Sequence, residues 1–549
     1  MNRRDFLKGA AASGLTAAAL GLSACAPQKA GDTDKLAQTS QTGFAWNNAP
    51  EPITDIANTY DYDIVIVGAG VAGLAAAEAA ARNGAKTVVI EKSPQANARG
   101  VDVGNVGSRV QKEAGIEIDP HEATRLLHQW GQQVPNYDLI YTWASRSGAV
   151  FDYLEELAAA NGYKMIQADG SSGTAKLDWK DLPERYRVLQ TAVSFVGDDG
   201  ISDNTNLGRI LQASATDNGT EFVFNAKGEQ LVGDAASGIT GVVVSLEDGS
   251  YAQYNASKGV ILATGDIGSN DEMMQEFSPL SLRADVNAYT PQGCNTGDGL
   301  LMGVWAGAAL SNCAPAPMIH QFAYDNYNFP LTSFYMSWLS VDRRGKRYAA
   351  DLPYEPYLTN ARMATPGNVA WSIFDADYVD YVKRQMPETY GTIIDSGWLE
   401  HSFEEYRGSE FLFEADTLEG LAEQLGVPVD ALAETVDRYN GMFEAGADAD
   451  FGVPEQFLTQ VKTPPFYATP NLCSRLVVPY GLHVNEDSQV CTAEDEPIEG
   501  LFAIGNVQGD FFAFTYPVHC PGVSHGRCVT FGQLVGEALA KDTVISQTA

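Results

Sequence analysis

Three glycines and an acid carry the most legible chemistry in the chain: Gly68, Gly70 and Gly73 in the run GAGVAG, and Glu91, 18 positions after the last of them. Glycines at this spacing let backbone N–H groups approach a pyrophosphate, and the positive end of the following helix favours its oxygens. A carboxylate at the end of the next strand accepts hydrogen bonds from ribose hydroxyls and repels an added phosphate. The ligand class is therefore a dinucleotide. To position these groups, Ile64–Val67 must form a buried strand, the Ala-rich run to Asn83 a helix, and Thr87–Ile90 a returning strand.

Two later segments repeat the strand-to-glycine pattern. Lys258–Leu262 runs into Ala263-Thr264-Gly265, and Gly500–Ile504 runs into Gly505-Asn506. Small residues there let backbone approach a ligand at the carboxyl edge of a sheet. Gly522 to Ala540 reads as a turn opening a final helix. Between these pieces the periodicity predicts helices over Glu122–Gln132 and Tyr137–Ala160 and strands over Glu221–Asn225 and Thr240–Leu246. Residues 315–476 differ in texture, with aromatics, prolines and short helices at Leu418–Leu425 and Ala431–Ala445. They read as a capping domain inserted between two parts, 58–314 and 477–542, of one nucleotide-binding domain. The expected class is α/β, a Rossmann-like domain with an α+β cap.

The 549 residues, 45% of them hydrophobic, suffice for a large core and two or three domains. With 70 acidic and 35 basic residues the formal charge is −35, which repels nucleic acid and anionic headgroups. The N-terminus reads Asn2-Arg3-Arg4-Asp5-Phe6-Leu7-Lys8, followed by an apolar run to Ala24 too short for a confident membrane span. It looks like a twin-arginine export signal over residues 1–25. Leu22-Ser23-Ala24-Cys25 resembles a lipobox that would make Cys25 the lipidated first residue, with a plain cleavable signal as the alternative. The only membrane association expected is through that signal or lipid, and the polar residues 26–57 read as a flexible tether. None of the seven cysteines forms CxxC or CxxCH, so neither a c-type haem nor an iron-sulfur cluster has a ligand set. Electrons must come from a separate protein or a soluble reductant.

With these motifs assembled, the chain resembles the flavoprotein family of soluble fumarate reductases, urocanate reductases and 3-ketosteroid dehydrogenases, especially the exported respiratory reductases of gut anaerobes. The resemblance covers about residues 58 to 542, through GAGVAGLAAA with Glu91, ATGD at 263–266, NTGDG at 295–299, GKRY at 345–348 and GLFAIGN at 500–506. It implies FAD as cofactor. Gly68, Gly70, Ala72 and Gly73 would lie near the pyrophosphate, Glu91 on the ribose beside Lys92, and Arg99, Gly100, Gly104 and Asn105 near the flavin. Gly228, Thr264, Gly265, Asp298 and Gly505 would add contacts, while Asn506, Val523 and Ser524 approach the flavin and its helix-directed end. His525 and Arg527 lie at the start of the predicted helix and are read as orienting flavin or helix.

The resemblance also implies hydride transfer between flavin and one carbon of a C=C bond, with a proton delivered to its neighbour. Fumarate reductases place an arginine acid at the position that is Glu355 here, and a carboxylate repels a dicarboxylate substrate. Val477–Gly481 replaces a second clamp histidine, while His320 matches the first. Tyr354 sits where ketosteroid-type members carry a catalytic tyrosine, and Tyr516 matches one that polarises a ketone. Catalytic candidates are therefore Tyr354, Glu355 and Tyr516, and substrate contacts His320, Tyr357 and His519; whether Tyr516 or His519 faces the substrate stays open. The implied activity is reduction of a C=C bond conjugated to a carbonyl, in an enone, steroid-like or aryl-enoate substrate. Electrons would come from a separate donor such as a multihaem cytochrome. Desaturation of a ketosteroid-like substrate and non-catalytic flavin binding by a lipoprotein are the alternatives.

Overall fold

The computed structural model describes residues 46–168, 188–198, 200, 203, 205–320, 329–333, 336–352, 357–385 and 394–547, without the side chains of Tyr357 and Gln547. The expected signal, Cys25 and the tether up to residue 45 lie outside the described residues.

A 12-residue strand, Ile56–Val67, is the axis of the molecule. It pairs in parallel with Thr87–Ile90 on one side and Tyr251–Leu262 on the other. Glu221–Val223 and Pro497–Ala503 extend the sheet in parallel at either flank. The order across is Gln489–Cys491, Pro497–Ala503, Tyr251–Leu262, Ile56–Val67, Thr87–Ile90, Glu221–Val223. Val65, Ile66, Val88, Val89, Val260 and Ile261 are all fully buried, as β-branched residues of a parallel sheet covered on both faces should be. The pairing aligns Val67 with Ile90 and Leu262, so their carboxyl ends emerge side by side.

On the sheet lies the helix Val71–Arg82, and across it the helix Val523–Ala540. Their closeness is a matter of side-chain size. A Cβ added at Gly532 would lie 2.6 Å from the Ala72 carbonyl oxygen, and one at Gly536 2.3 Å from that of Ala76. The Ala-rich composition of the first helix thus serves to admit the last one.

The axial strand begins eight residues before the apolar run, because its exposed first half also pairs with Tyr251–Ala256. A hairpin, Lys227–Asp234 with Gly238–Ser245, pairs through its second strand antiparallel to Tyr251–Asn255. The described end of the expected tether is not free. The Trp46 indole donates to Glu276 (2.6 Å) and packs edge-on against Phe277, while Gln230 bonds the backbone at Glu51 and Ile53. One aromatic and a few backbone partners hold what polarity alone reads as linker.

A separate four-stranded antiparallel sheet has Phe413–Ala415, Phe466–Pro470, Ala370–Asp375 and Leu339–Asp342 in spatial order. It is packed by its own apolar clusters, one around Leu339, Leu421 and Tyr439 and another around Trp338, Phe374 and Phe403. Beneath it, Arg347 is buried and paired with both Asp351 and Asp448. A three-stranded sheet of Val286–Asn287, Ser474–Val477 and Met318–His320 joins the points where the chain leaves and re-enters the nucleotide sheet. Among the described residues no helix is long and apolar enough to cross a membrane.

Candidate active site

The site starts at the carboxyl edge of the parallel sheet. Gly68 has φ +110°, and a Cβ there would lie 2.4 Å from the Ala263 carbonyl oxygen; one at Gly73 would lie 1.9 Å from that of Gly68. Gly70 is the N-cap of the helix with no side-chain cap, which leaves the first-turn N–H groups for a ligand. Nothing lies within 4 Å of a Cβ built on Gly70. Ala72 backs this turn, its methyl 3.0 Å from a Cβ built on Gly505.

Glu91 does more than end a strand. Its carboxylate accepts the Ala69 N–H at 2.7 Å and the Ser93 N–H at 2.8 Å, locking the glycine turn while keeping lone pairs for another donor. Glu91, Lys92, Gly228, Thr264, Gly265 and Asp298 line one cleft with Gly68 and Gly70. Lys92 spans it to Asp298 (2.7 Å) and Thr296 (2.9 Å). Thr264 Oγ1 accepts the Gly299 N–H at the start of the next helix.

The second part lies where Arg99–Asn105 meets the C-terminal helix. Gly104 fits against Gly522, and a Cβ on Gly526 would lie 1.7 Å from the Gly104 carbonyl oxygen. Gly100 faces the His525 ring, whose Nδ1 donates to the Asp102 carbonyl oxygen at 3.4 Å. Burial, reinforced by Arg99, pulls His525 down to about 4, so the imidazole is neutral at physiological pH, with its one proton on Nδ1 towards that carbonyl. Arg99 lies over the Tyr289 ring at 4.0 Å. Asn105 Oδ1 is buried with no partner among the described residues, an acceptor kept for a ligand. Together with the glycine cradle, this acceptor fits an FAD.

Asp266 and Asn295 lie in the motifs ATGD and NTGDG, whose residue types alone give them no role. Asp266 is fully buried and accepts from Gly268 N–H, Asn295 and Asn506. Burial raises its pKa against those hydrogen bonds. An acid closing ATGD, beside a glycine turn, was the available signal.

Tyr516 is buried, and its hydroxyl accepts the Ser524 N–H at 3.1 Å, one residue into the helix that Val523 begins. Burial raises its pKa far above the ordinary tyrosine range, so it keeps its proton. His519 is buried edge-on to Trp130 at 4.9 Å, and Trp130 donates to the Thr515 carbonyl. His320 is buried in the joining sheet, opposite Ser474. Tyr357 begins the helix to Met363, whose Asn360 donates to Thr515 Oγ1 at 3.0 Å. Tyr354 and Glu355 lie outside the described residues.

The family described as the FAD binding domain (FAD_binding_2) matches residues 63–519. The probable fumarate reductase Ifc3 of Shewanella frigidimarina is 26% identical over 87% of this chain and 74% of its own length. The digoxin reductase of Eggerthella lenta is 26% identical over 98% of this chain and 97% of its own. In fold, the chain is similar to the 3-ketosteroid-Δ4-(5α)-dehydrogenase of Rhodococcus jostii RHA1, with a TM-score of 0.67 at 20% identity over 90% of this chain and 99% of the other. The chain belongs to the FAD binding domain family and is an FAD-dependent oxidoreductase acting on CH–CH bonds.

Proposed function

We propose that this protein is an exported, lipid-anchored reductase that saturates a C=C bond conjugated to a carbonyl, with electrons from a separate respiratory donor. The observation that carries this reading is the Tyr516 hydroxyl. It is buried, accepts from Ser524 N–H and retains its own hydrogen, which suits it to donate to a carbonyl or a developing carbanion rather than to abstract a proton. When bound, FAD supplies the hydride at one carbon of the double bond. Tyr516 polarises or protonates at the carbonyl side, and Tyr354 with Glu355 completes proton delivery. His320, Tyr357 and His519 contact the substrate, His519 held by the Trp130 ring.

A neutral, enone-like acceptor is favoured over a dicarboxylate because Glu355 stands where an arginine acid would be needed. That a relative matched over nearly its whole length is a digoxin reductase supports the same choice. The leader and lipobox support export, and the absence of a haem or cluster motif supports a partner cytochrome or similar carrier.

An anaerobic screen of enones, unsaturated steroids and aryl-acrylates against viologen-reduced protein tests the reading. Oxidation of the viologen on adding an enone, lost in Tyr516→Phe and in Tyr354→Phe/Glu355→Gln, is the expected result. Fully flavin-loaded protein that reduces none of the panel defeats it.

A further inference from the structure

Arg527 is fully buried, on the helix that begins at Val523. Four residues on from Val523 and three from Ser524, it shares their face. Its hydrogen-bond partners are all neutral: Asn506 Oδ1 at 2.9 Å, the Gln508 carbonyl at 3.4 Å and Gln508 Oε1 at 3.5 Å. Nε has no partner among the described residues, and no carboxylate there forms an ion pair with it.

Aromatic faces hold the cation instead, with Phe512 at 4.7 Å and Phe511 at 5.2 Å. Such contacts return less than the desolvation of an unpaired buried ion costs. Elsewhere this fold does pair a buried guanidinium, since Arg347 has both Asp351 and Asp448. Among the described residues, therefore, no carboxylate compensates Arg527. Its strongest hydrogen bond fixes Asn506, whose Nδ2 donates to Asp266, in the turn that abuts Ala72 of the dinucleotide helix. A negative charge on a ligand beside this turn would balance Arg527.

We propose that Arg527 is a positioning residue that electrostatically favours the reduced over the oxidised flavin, biasing the enzyme toward accepting electrons from its donor. The inference rests on the reading of the chain as a flavin reductase. Reduction by two electrons from that donor and one proton from solvent leaves the flavin ring with one net negative charge, and a desolvated cation stabilises that state.

The test is a redox titration of the holoenzyme with dithionite and mediator dyes, in wild type, Arg527→Gln and Arg527→Lys, with the affinity for oxidised FAD measured separately. Arg527→Gln is expected to lower the preference for reduced over oxidised flavin at least tenfold, a fall of about 30 mV for a two-electron couple. Arg527→Lys is expected to keep most of it. An unchanged potential in Arg527→Gln overturns the proposal, as does a fall in Arg527→Lys equal to that in Arg527→Gln, which would mean shape rather than charge. If Arg527→Gln does not retain flavin, Asn506→Asp puts a carboxylate in direct contact with Arg527 and must lower the potential; no change there overturns the proposal. Flavin-loaded variants whose potential matches that of wild type overturn this proposal and leave the reductase reading standing, whereas wild type that takes up no flavin overturns both.

Discussion

Gly70 and Gly73 stand three residues apart in one motif, yet the structure gives them different work. A Cβ on Gly73 would lie 1.9 Å from the Gly68 carbonyl oxygen, well inside a normal carbon–oxygen contact, and the opposing atom is backbone that cannot rotate away. The helix start and the turn must separate, at a cost of about 3 kcal/mol or more. A Cβ on Gly70 meets nothing within 4 Å, and the residue has an ordinary extended backbone at φ −76°. Gly70→Ala should therefore leave apoprotein stability within about 1 kcal/mol of wild type. The free space beside Gly70 is the space a pyrophosphate would fill. Gly70→Ala should accordingly weaken FAD binding tenfold or more, about 1.4 kcal/mol, while Gly73→Ala lowers the unfolding midpoint of the apoprotein itself. Thermal unfolding of apoprotein and fluorescence titration with FAD separate the two effects. Unchanged FAD affinity in Gly70→Ala would refute the assignment of that face to the cofactor. Unchanged stability in Gly73→Ala would refute the packing argument.

Arg347→Met should cost about 3–5 kcal/mol, read by denaturant unfolding, because it strands Asp351 and Asp448 as buried carboxyls without their cation. Tyr516→Phe should retain the flavin spectrum but lose 10²- to 10⁴-fold in turnover, roughly the span of general acid catalysis; a steady-state assay with an enone checks it. His483 lies between Asp510 (2.7 Å) and Asp495 (2.9 Å), and the Asp510 hydrogen bond, opposed by burial and helped by Asp495, raises it to about 9. Because the folded value lies above the ordinary one of about 6.5, the stability it contributes is complete below pH 6.5. That stability is lost as pH rises through 9. Unfolding free energy measured across that window should fall in wild type and stay flatter in His483→Gln.

The glycine turn, the parallel strands and the final helix were legible because each is a local pattern: an apolar run, a glycine, a carboxylate at a fixed offset. The helices over Tyr137–Ala160 and Leu418–Leu425 follow from periodicity in the same way. The first half of Ile56–Val67 was not legible, since its exposed polar residues gain their strand character from a partner nearly 200 residues away. The hairpin from Lys227 to Ser245 was only half read for a similar reason. Trp46 gave no sign that it would dock on Glu276 and Phe277.

Residue types and offsets along the chain determined by themselves that this protein holds a dinucleotide, because the turn, the helix start and the acid all fall within one βαβ unit. Tertiary structure alone decided which groups meet beside the glycine turns. Asp266 meets Asn506, and Asn506 meets Arg527, only because parallel strands far apart in sequence end at one sheet edge beneath the C-terminal helix. How a buried charge is partnered cannot be read from sequence, since it depends on which distant segments the fold brings near it.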